Sequence, residues 1–279
     1  MTIKIVTDST CDLPDDVIKA LDISVVPMFI NIGQKGFLDG VEISRQEFYE
    51  NLPNYPEHPT TAVPGTDKFH QVYEHLIHQG ATQIISIHIS PSLSAVLDVA
   101  RSAAQEVKDA TVEVFDSRQL SLGTGFLVEL AGRAAQQGKA MGEIMHALKD
   151  QISRSHVFAS LDTLEYLRRS GRMNGVVSGI GNLLQIKPIL RMYDGKPTVE
   201  RVRTQSKAIR MMLGWLKEIG KLEKVAIVHT NAAERAQELL HLAADFLPSG
   251  NIPTVDITPV IGANIGPGAA GFALVAAKS

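Results

Sequence analysis

Residues 84–96 read IISIHISPSLSAV, and this stretch decides how the rest of the chain is interpreted. Isoleucines at positions 84, 85, 87 and 89 are β-branched and apolar, which predicts a buried strand. Serines follow at 90, 92 and 94, and residues 97–107 then show the apolar spacing of a helix. A strand that turns through serines into a helix places free backbone N–H groups beside hydroxyls, which suits an anion. The commoner alternative is that Ser90 or Ser92 only caps the helix.

The same arrangement recurs along the first half of the chain. Predicted strands at 3–6 and 111–115 also run into polar turns, whose hydroxyl and carboxylate residues are Asp8, Ser9, Thr10, Asp116, Ser117 and Ser121. Strands that alternate with helices and end on such turns predict a parallel α/β sheet. Ligands of such sheets bind at the carboxyl ends of the strands.

The second half has a different pattern. The Asp-Gly pair at 194–195 lies between two apolar runs and predicts a hairpin. Asp162 is expected to cap a short helix that Gly171 ends, and an apolar, glycine-rich helix is predicted at 174–185. Residues 262–269 are expected to form a loop between the last two strands. We therefore predict an α/β fold with an N-terminal parallel-sheet domain over residues 1–153 and a C-terminal α+β domain over 154–279.

The composition is that of an ordinary globular protein. The chain has 279 residues, of which 44% are hydrophobic and 20% charged, and its net charge is −3. These values exclude general disorder and give no electrostatic reason to expect nucleic acid. The single cysteine excludes an internal disulfide framework, and neither a signal-peptide segment nor a membrane-spanning apolar run is found. We therefore expect a soluble cytoplasmic protein with no integral membrane segment.

The sequence lacks the motifs of the common catalytic chemistries. It contains no P-loop, no complete dinucleotide fingerprint and no nucleophile elbow of a serine hydrolase. His70, Glu74 and His78 share one face of a predicted helix, but their spacing does not match the zinc motifs, so a solvated face is preferred. Cys11 lies at a turn before a helix, where a thiolate is favoured, but without a histidine base we interpret it as a small buried residue. We expect no catalytic residues, no metal and no cofactor.

Several blocks of sequence match one known family. They include TDSTCDLP at 7–14, FLDGVEIS at 37–44, DSRQLSLGTG at 116–125, LEYLRRSGR at 164–172 and IGPGAAG at 265–271. With these blocks in this order over nearly its whole length, the chain resembles the DegV family. Members of that family bind long-chain fatty acids and, in some bacteria, present them to a fatty-acid kinase. The resemblance implies a ligand site between the two domains.

The resemblance also implies which residues hold the fatty carboxylate. The Thr and Ser of the family's site fall on Thr61 and Ser94, and the Asp and Arg close behind them fall on Asp39 and Arg172. The family's usual histidine is replaced here by Asn264, which can donate a hydrogen bond but cannot carry a charge.

An apolar tunnel for the acyl chain follows from the same resemblance. Each CH₂ group removed from water contributes about 0.8 kcal/mol, so a closed apolar wall supplies affinity while a few polar groups set orientation. The predicted helix at 174–185 is the candidate wall, and its candidate contacts are Met173, Val177, Ile180 and Leu184. Each of these four is equally well interpreted as an ordinary core residue.

Three classes of function remain open. The first, which we favour, is a fatty-acid carrier with no chemistry of its own. The second is an acyl- or phosphoryl-transfer enzyme that uses the Ser/Thr-rich cleft, and the missing metal and nucleotide motifs count against it. The third is a protein-interaction subunit in which bound lipid is structural, with Arg201 and Arg203 facing a partner such as a kinase.

Overall fold

The structure, a computed structural model, describes residues 2–172 and 186–278. The strands of its first half are β1 (Ile3–Asp8), β2 (Ile23–Val26), β3 (Phe29–Ile32), β4 (Lys35–Leu38), β5 (Thr60–Ala62), β6 (Gln83–His88) and β7 (Thr111–Asp116). The helices of that half are α1 (Asp15–Ala20), α2 (Arg45–Asn51), α3 (Thr66–His78), α4 (Val96–Glu106), α5 (Leu122–Gln136) and α6 (Met141–Ile152), with 3-10 turns at Ser9–Cys11 and Leu52–Asn54.

The second half adds a further set of elements. Its strands are β8 (Ser155–Ser160), β9 (Lys187–Tyr193), β10 (Lys196–Val202), β11 (Leu222–His229), β12 (Thr254–Asp256) and β13 (Ala270–Ala276). Its helices are α7 (Glu165–Ser170), α8 (Gln205–Ile219), α9 (Ala233–Leu242) and α10 (Pro259–Ile265), with a 3-10 turn at Ala244–Phe246. None of the helices described is both long and apolar enough to cross a membrane.

The predicted parallel sheet is confirmed. Its strand order is β2-β1-β6-β7, and every neighbouring pair is parallel. β6 is one of its two central strands, and its isoleucines pack on both faces: Ile85 and Ile87 belong to one apolar cluster and Ile84 to another. A strand buried on both faces reads as a nearly continuous apolar run, which is why residues 84–89 were recognisable.

A second, three-stranded antiparallel sheet was not predicted. The apolar run at 24–31 is divided between β2 of the parallel sheet and β3 of this small sheet, whose order is β4-β3-β5. Pro27 lies between the two strands, and a proline cannot donate a ladder hydrogen bond. The small sheet fixes the backbone of Thr61, which pairs with Ile30.

The second half forms a separate mixed sheet of order β10-β9-β8-β13-β11-β12. The predicted hairpin between β9 and β10 is confirmed, and both of its turn residues, Asp194 and Gly195, have positive φ. Apolar side chains of the two sheets share one cluster, which joins Ile85 of β6 to Val157 of β8. The division into domains near residue 154 stays a prediction.

Two local predictions about the second half are wrong. Asp162 does not cap α7: Leu164 occupies the N-cap position, while Asp162 is paired with Lys187 and Arg235. The expected loop at 262–269 is helical in its first half, because Thr258 caps α10 and Pro259 takes its first position. The helix predicted at 174–185, with Met173, Val177, Ile180 and Leu184, lies outside the described residues.

Candidate functional site

A cavity of about 490 Å³ lies where the carboxyl ends of the parallel strands face the second sheet. The turns after β1 and β6 contribute Thr10 and Ser94, and β8 and β9 contribute Val157 and Met192. Most of the lining is apolar. The cavity therefore has the composition of a site for a largely apolar ligand with a polar group at one end.

Four of the five predicted site residues line this cavity. Thr61, Ser94, Arg172 and Asn264 come from β5, the turn before α4, the residues after α7, and α10. Asp39, the fifth, is not among the described lining residues. Elements distant in the sequence thus bring together most of the set that the resemblance implied.

The hydroxyl of Thr61 is oriented by Arg172. The guanidinium Nη2 of Arg172 donates to Thr61 Oγ1 at 3.2 Å, and its Nη1 donates to the backbone oxygen of Ser170 at 2.9 Å. A hydroxyl that accepts from an N–H group keeps its own proton to donate. Thr61 therefore offers a donor to the cavity, with a positive charge directly beside it.

The hydroxyl of Ser94 also accepts a hydrogen bond and keeps its own proton. Its Oγ accepts from the backbone N–H of Val96 at 3.3 Å, which leaves its proton free to donate. The expectation that Ser90 or Ser92 caps α4 is wrong, because Ala95 occupies the N-cap position without a side-chain cap. Ser90 and Ser92 instead bond each other, with their hydroxyl oxygens 3.0 Å apart.

Asn264 adds an amide to the polar end. Its Nδ2 donates to the backbone oxygen of Val260 at 2.7 Å, and an amide nitrogen carries a second proton. Among the described lining residues, Arg172 and Arg191 carry a positive charge and none carries a negative one. The guanidinium of Arg191 lies over the ring of Trp215, 5.1 Å from its centre. The polar end therefore offers hydrogen-bond donors, with Arg172 as its adjacent cation.

Asp39 lies behind this end, in contact with Thr258. Its side chain is 4% exposed and accepts a hydrogen bond from the hydroxyl of Thr258. Burial raises the pKa of Asp39, and hydrogen bonds from Ser9 and Thr258 oppose that effect. The carboxyl is thus committed to protein partners rather than to the cavity.

The sequence reasoning missed a second buried carboxylate, Asp12. Its Oδ2 accepts from the hydroxyl of Ser121 at 2.6 Å, its Oδ1 accepts from the backbone N–H of Thr258 at 2.8 Å, and Arg45 lies 3.2 Å away. Burial raises the pKa of Asp12 to about 6, although Arg45 opposes the shift. The TDSTCDLP block contained this residue, but nothing local distinguishes a buried aspartate from a capping one.

A third buried carboxylate, Asp8, belongs to a series of hydrogen-bonded side chains in the core. Asp8 accepts from the hydroxyl of Thr10, and its other oxygen lies 2.8 Å from Nδ1 of His88. His88 Nε2 lies 2.7 Å from the hydroxyl of Ser86, to which Tyr73 donates at 2.9 Å. Burial raises the pKa of Asp8, but the bond and charge of His88 outweigh it and leave that pKa below its ordinary value. All side chains of this hydrogen-bonded series are buried.

Two other interpretations concern residues away from the cavity. Cys11 is 2% exposed, and burial raises the pKa of its thiol to about 12, so it is the small buried residue expected. His70 and Glu74 lie on the half-exposed face of α3 with 3.7 Å between Nε2 and Oε1. Within residues 2–172 and 186–278, no three or more His, Cys, Asp or Glu side chains are grouped as metal ligands would be.

Comparison with known proteins gives one consistent family. A family model described as "Uncharacterised protein, DegV family" matches residues 2–277. A DegV domain-containing protein of Caldanaerobacter subterraneus is 36% identical over 273 residues, which cover 96% of this chain and 97% of the relative. Another, from Listeria innocua, is 34% identical over 276 residues and covers 97% of both chains.

Solved structures give the same result. A DegV family protein from Thermus thermophilus, described by its fatty-acid binding, has 29% sequence identity and a TM-score of 0.91, covering 99% of this chain and 100% of that one. DegV of Bacillus subtilis, described as a fatty-acid-binding protein, has 27% identity and a TM-score of 0.88 with the same coverage. The fold of this chain therefore corresponds to that of each solved structure over almost the full length.

Proposed function

This chain belongs to the DegV family, and on that premise we propose that it is a fatty-acid carrier. A long-chain fatty acid occupies the cavity, with its carboxylate on Thr61 and Ser94 and its acyl chain against the apolar residues of the lining. Arg172 supplies the nearest positive charge, and Asn264 supplies an amide donor. The carrier serves lipid transport or presentation to a fatty-acid kinase in the cytoplasm.

One observation supports this proposal above the others. Thr61 and Ser94 each accept from an N–H group, so both hydroxyl protons remain available in the same, mostly apolar cavity. An ionised carboxylate only accepts hydrogen bonds. These donors and the acceptors of the ligand are therefore complementary, and bonds of this kind to a charged group contribute about 1.5–3 kcal/mol each.

The enzyme alternative receives less support. A serine nucleophile needs a base within hydrogen-bond reach. No histidine, cysteine or carboxylate is itself among the described residues that line the cavity, although two lining hydroxyls, those of Thr10 and Ser121, donate to the buried carboxylates Asp8 and Asp12. The bonding partner of Ser94 is a backbone N–H group, which cannot remove its proton. We therefore assign Ser94 a binding role.

The proposal is tested by native mass spectrometry of protein purified from cells, followed by titration with palmitate. We expect one fatty-acid adduct on the native protein and its loss in Thr61→Val/Ser94→Ala. Two bonds to a charged group are removed, so palmitate should bind about 100-fold or more weakly.

The matched control is Thr60→Val/Ser102→Ala, which makes the same changes at an exposed threonine of β5 and an exposed serine of α4. It should keep the adduct and the native affinity. Equal palmitate binding by the two double variants would contradict the proposed headgroup site. Native protein that carries no lipid and turns over an acyl phosphate unaided would contradict the carrier function.

A further inference from the structure

Residues 256–258, which we call the anchor segment, are held by side chains from the first half of the chain. Arg45 donates to the backbone oxygen of Asp256, and the hydroxyl of Tyr49 donates to the backbone oxygen of Ile257 at 2.9 Å. Both donors lie on α2, more than 200 positions earlier in the sequence. The anchor segment is thus fixed from outside its own sheet.

Thr258 is the most strongly held residue of the anchor segment. Its backbone N–H donates to Asp12 and its hydroxyl donates to Asp39, and both carboxylates are almost fully buried. Arg45 is the counter-charge beside Asp12. Burying charged groups is costly unless they are paired and hydrogen-bonded, and here the bonds from Thr258 and the charge of Arg45 supply that compensation.

The element that these charges hold in place is α10, which comes directly after the anchor segment. α10 begins at Pro259, and its side chains Val260, Ile261, Asn264 and Ile265 all line the cavity. Asn264 is six residues beyond Thr258, or about 9 Å along a helix. A change in the position of the N-terminus of α10 therefore changes the position of the Asn264 amide.

The anchoring side chains do not line the cavity themselves. Asp12, Asp39, Arg45, Tyr49 and Thr258 are all absent from its described lining. Asp12 and Tyr49 also bond the lining residues Ser121 and Ile257, whereas Asp39 and Thr258 are bonded to each other at the start of α10. Tyr49 also packs directly on that helix, because its hydroxyl occupies the space that a Cβ atom at Gly262 would need.

We propose that Thr258, held by Asp12 and Asp39, is a positioning residue that sets α10 so that the Asn264 amide meets the ligand carboxylate. The inference deepens the proposed function and rests on it. The buried carboxylates orient a headgroup donor without touching the ligand. Thr258 consequently affects recognition of the carboxylate more than recognition of the acyl chain.

The test compares Thr258→Val with Thr258→Ser. Valine keeps the shape of threonine but removes both the donor to Asp39 and the acceptor that caps α10, whereas serine keeps both. The readout is the ratio of affinities for palmitate and for hexadecanol, which share an acyl chain and differ in headgroup charge. We expect the preference for palmitate to fall about tenfold in the valine variant, the value of one net hydrogen bond, and to return in the serine variant.

Thr254→Val is the matched control, because Thr254 is exposed on β12 and its change should leave the ratio unaltered. If Thr258→Val does not fold, Tyr49→Phe replaces it, since that change removes the bond to Ile257 and keeps the ring. A native ratio in the folded variant would overturn the positioning role alone. Native protein that does not bind palmitate would overturn the proposed function, and the positioning role with it.

Discussion

Polar side chains at the cavity differ from those that hold the anchor segment in whether their hydrogen-bonding groups are already used. At the polar end, Thr61, Ser94 and Asn264 are half-buried, and each has a proton left to donate. At the anchor segment, Thr258 and its partner Asp12 are buried and bonded to each other and to further protein groups. A binding site keeps hydrogen-bonding capacity in reserve, whereas a structural cluster uses it internally.

The largest expected effect is on the free energy of unfolding, which should fall much more when Asp12 is replaced than when Ser94 is. Asp12→Ala leaves Ser121 and the N–H of Thr258 without their acceptor and removes the ion-pair partner of Arg45, so unfolding free energy should fall by about 3–5 kcal/mol. The backbone φ of 54° at Asp12 is also poorly tolerated by alanine. Ser94→Ala should lower stability by less than about 1 kcal/mol, because it removes one half-buried bond. Urea denaturation measures both values.

Asp16→Ala is the control for loss of a negative charge, since Asp16 is exposed in the first turn of α1. It should cost no more than about 0.5 kcal/mol. An Asp12→Ala protein as stable as the Ser94→Ala protein would contradict the distinction between anchor and binding site.

A smaller effect follows from the raised pKa of Asp12. Its ordinary value is 3.8 and its value in the fold is about 6, so the folded state binds this proton more tightly than the unfolded state. The contribution to stability is therefore fully present below about pH 4 and is lost as the pH rises through 6. Native protein, measured relative to Asp12→Asn, should lose roughly 1–3 kcal/mol between pH 4 and pH 7.

Taking the difference between native protein and Asp12→Asn cancels the other titrating groups. His156 is one of these and acts in the opposite direction, because burial and Arg191 lower its pKa to about 4. A stability difference that is constant with pH would show that Asp12 is charged equally easily in both states, and one that rises with pH would show that the fold lowers its pKa.

The smallest effect concerns the polar end alone. Asn264 cannot be protonated in this range, whereas a histidine there would gain a charge as the pH falls. We expect the palmitate affinity of Asn264→His, divided by that of the native protein, to rise about tenfold from pH 7.5 to pH 5.5, with roughly one favourable charge interaction added. Asn264→Gln should show a constant ratio. A constant ratio for the histidine variant as well would mean that residue 264 does not reach the carboxylate.

Much of the fold could be predicted from local sequence. β6 was recognisable because its isoleucines are buried on both faces, and the β9–β10 hairpin was recognisable because Asp194 and Gly195 tolerate positive φ. The small antiparallel sheet was missed, because β3 pairs with β5 across about thirty intervening residues. The helical start of α10 was missed because the glycines around 262–268 suggested a loop.

The candidate site was predictable only in part. The resemblance implied Thr61, Ser94, Arg172 and Asn264, and the structure places all four on one cavity. Asp39 was expected close behind the carboxylate, and the structure places it against Thr258. The role of Asp12 was not predictable, because its partners Ser121 and Thr258 lie 109 and 246 positions away.

The sequence by itself determined where hydroxyl groups stand, since strands that end in serine and threonine place them at one edge of a parallel sheet. Only the tertiary structure decided what each hydroxyl offers. Thr10 and Ser121 donate to buried carboxylates, whereas Thr61 and Ser94 accept from N–H groups and keep their protons. A hydroxyl can donate and accept at once, so the role left for a ligand depends on which partner the fold brings to it.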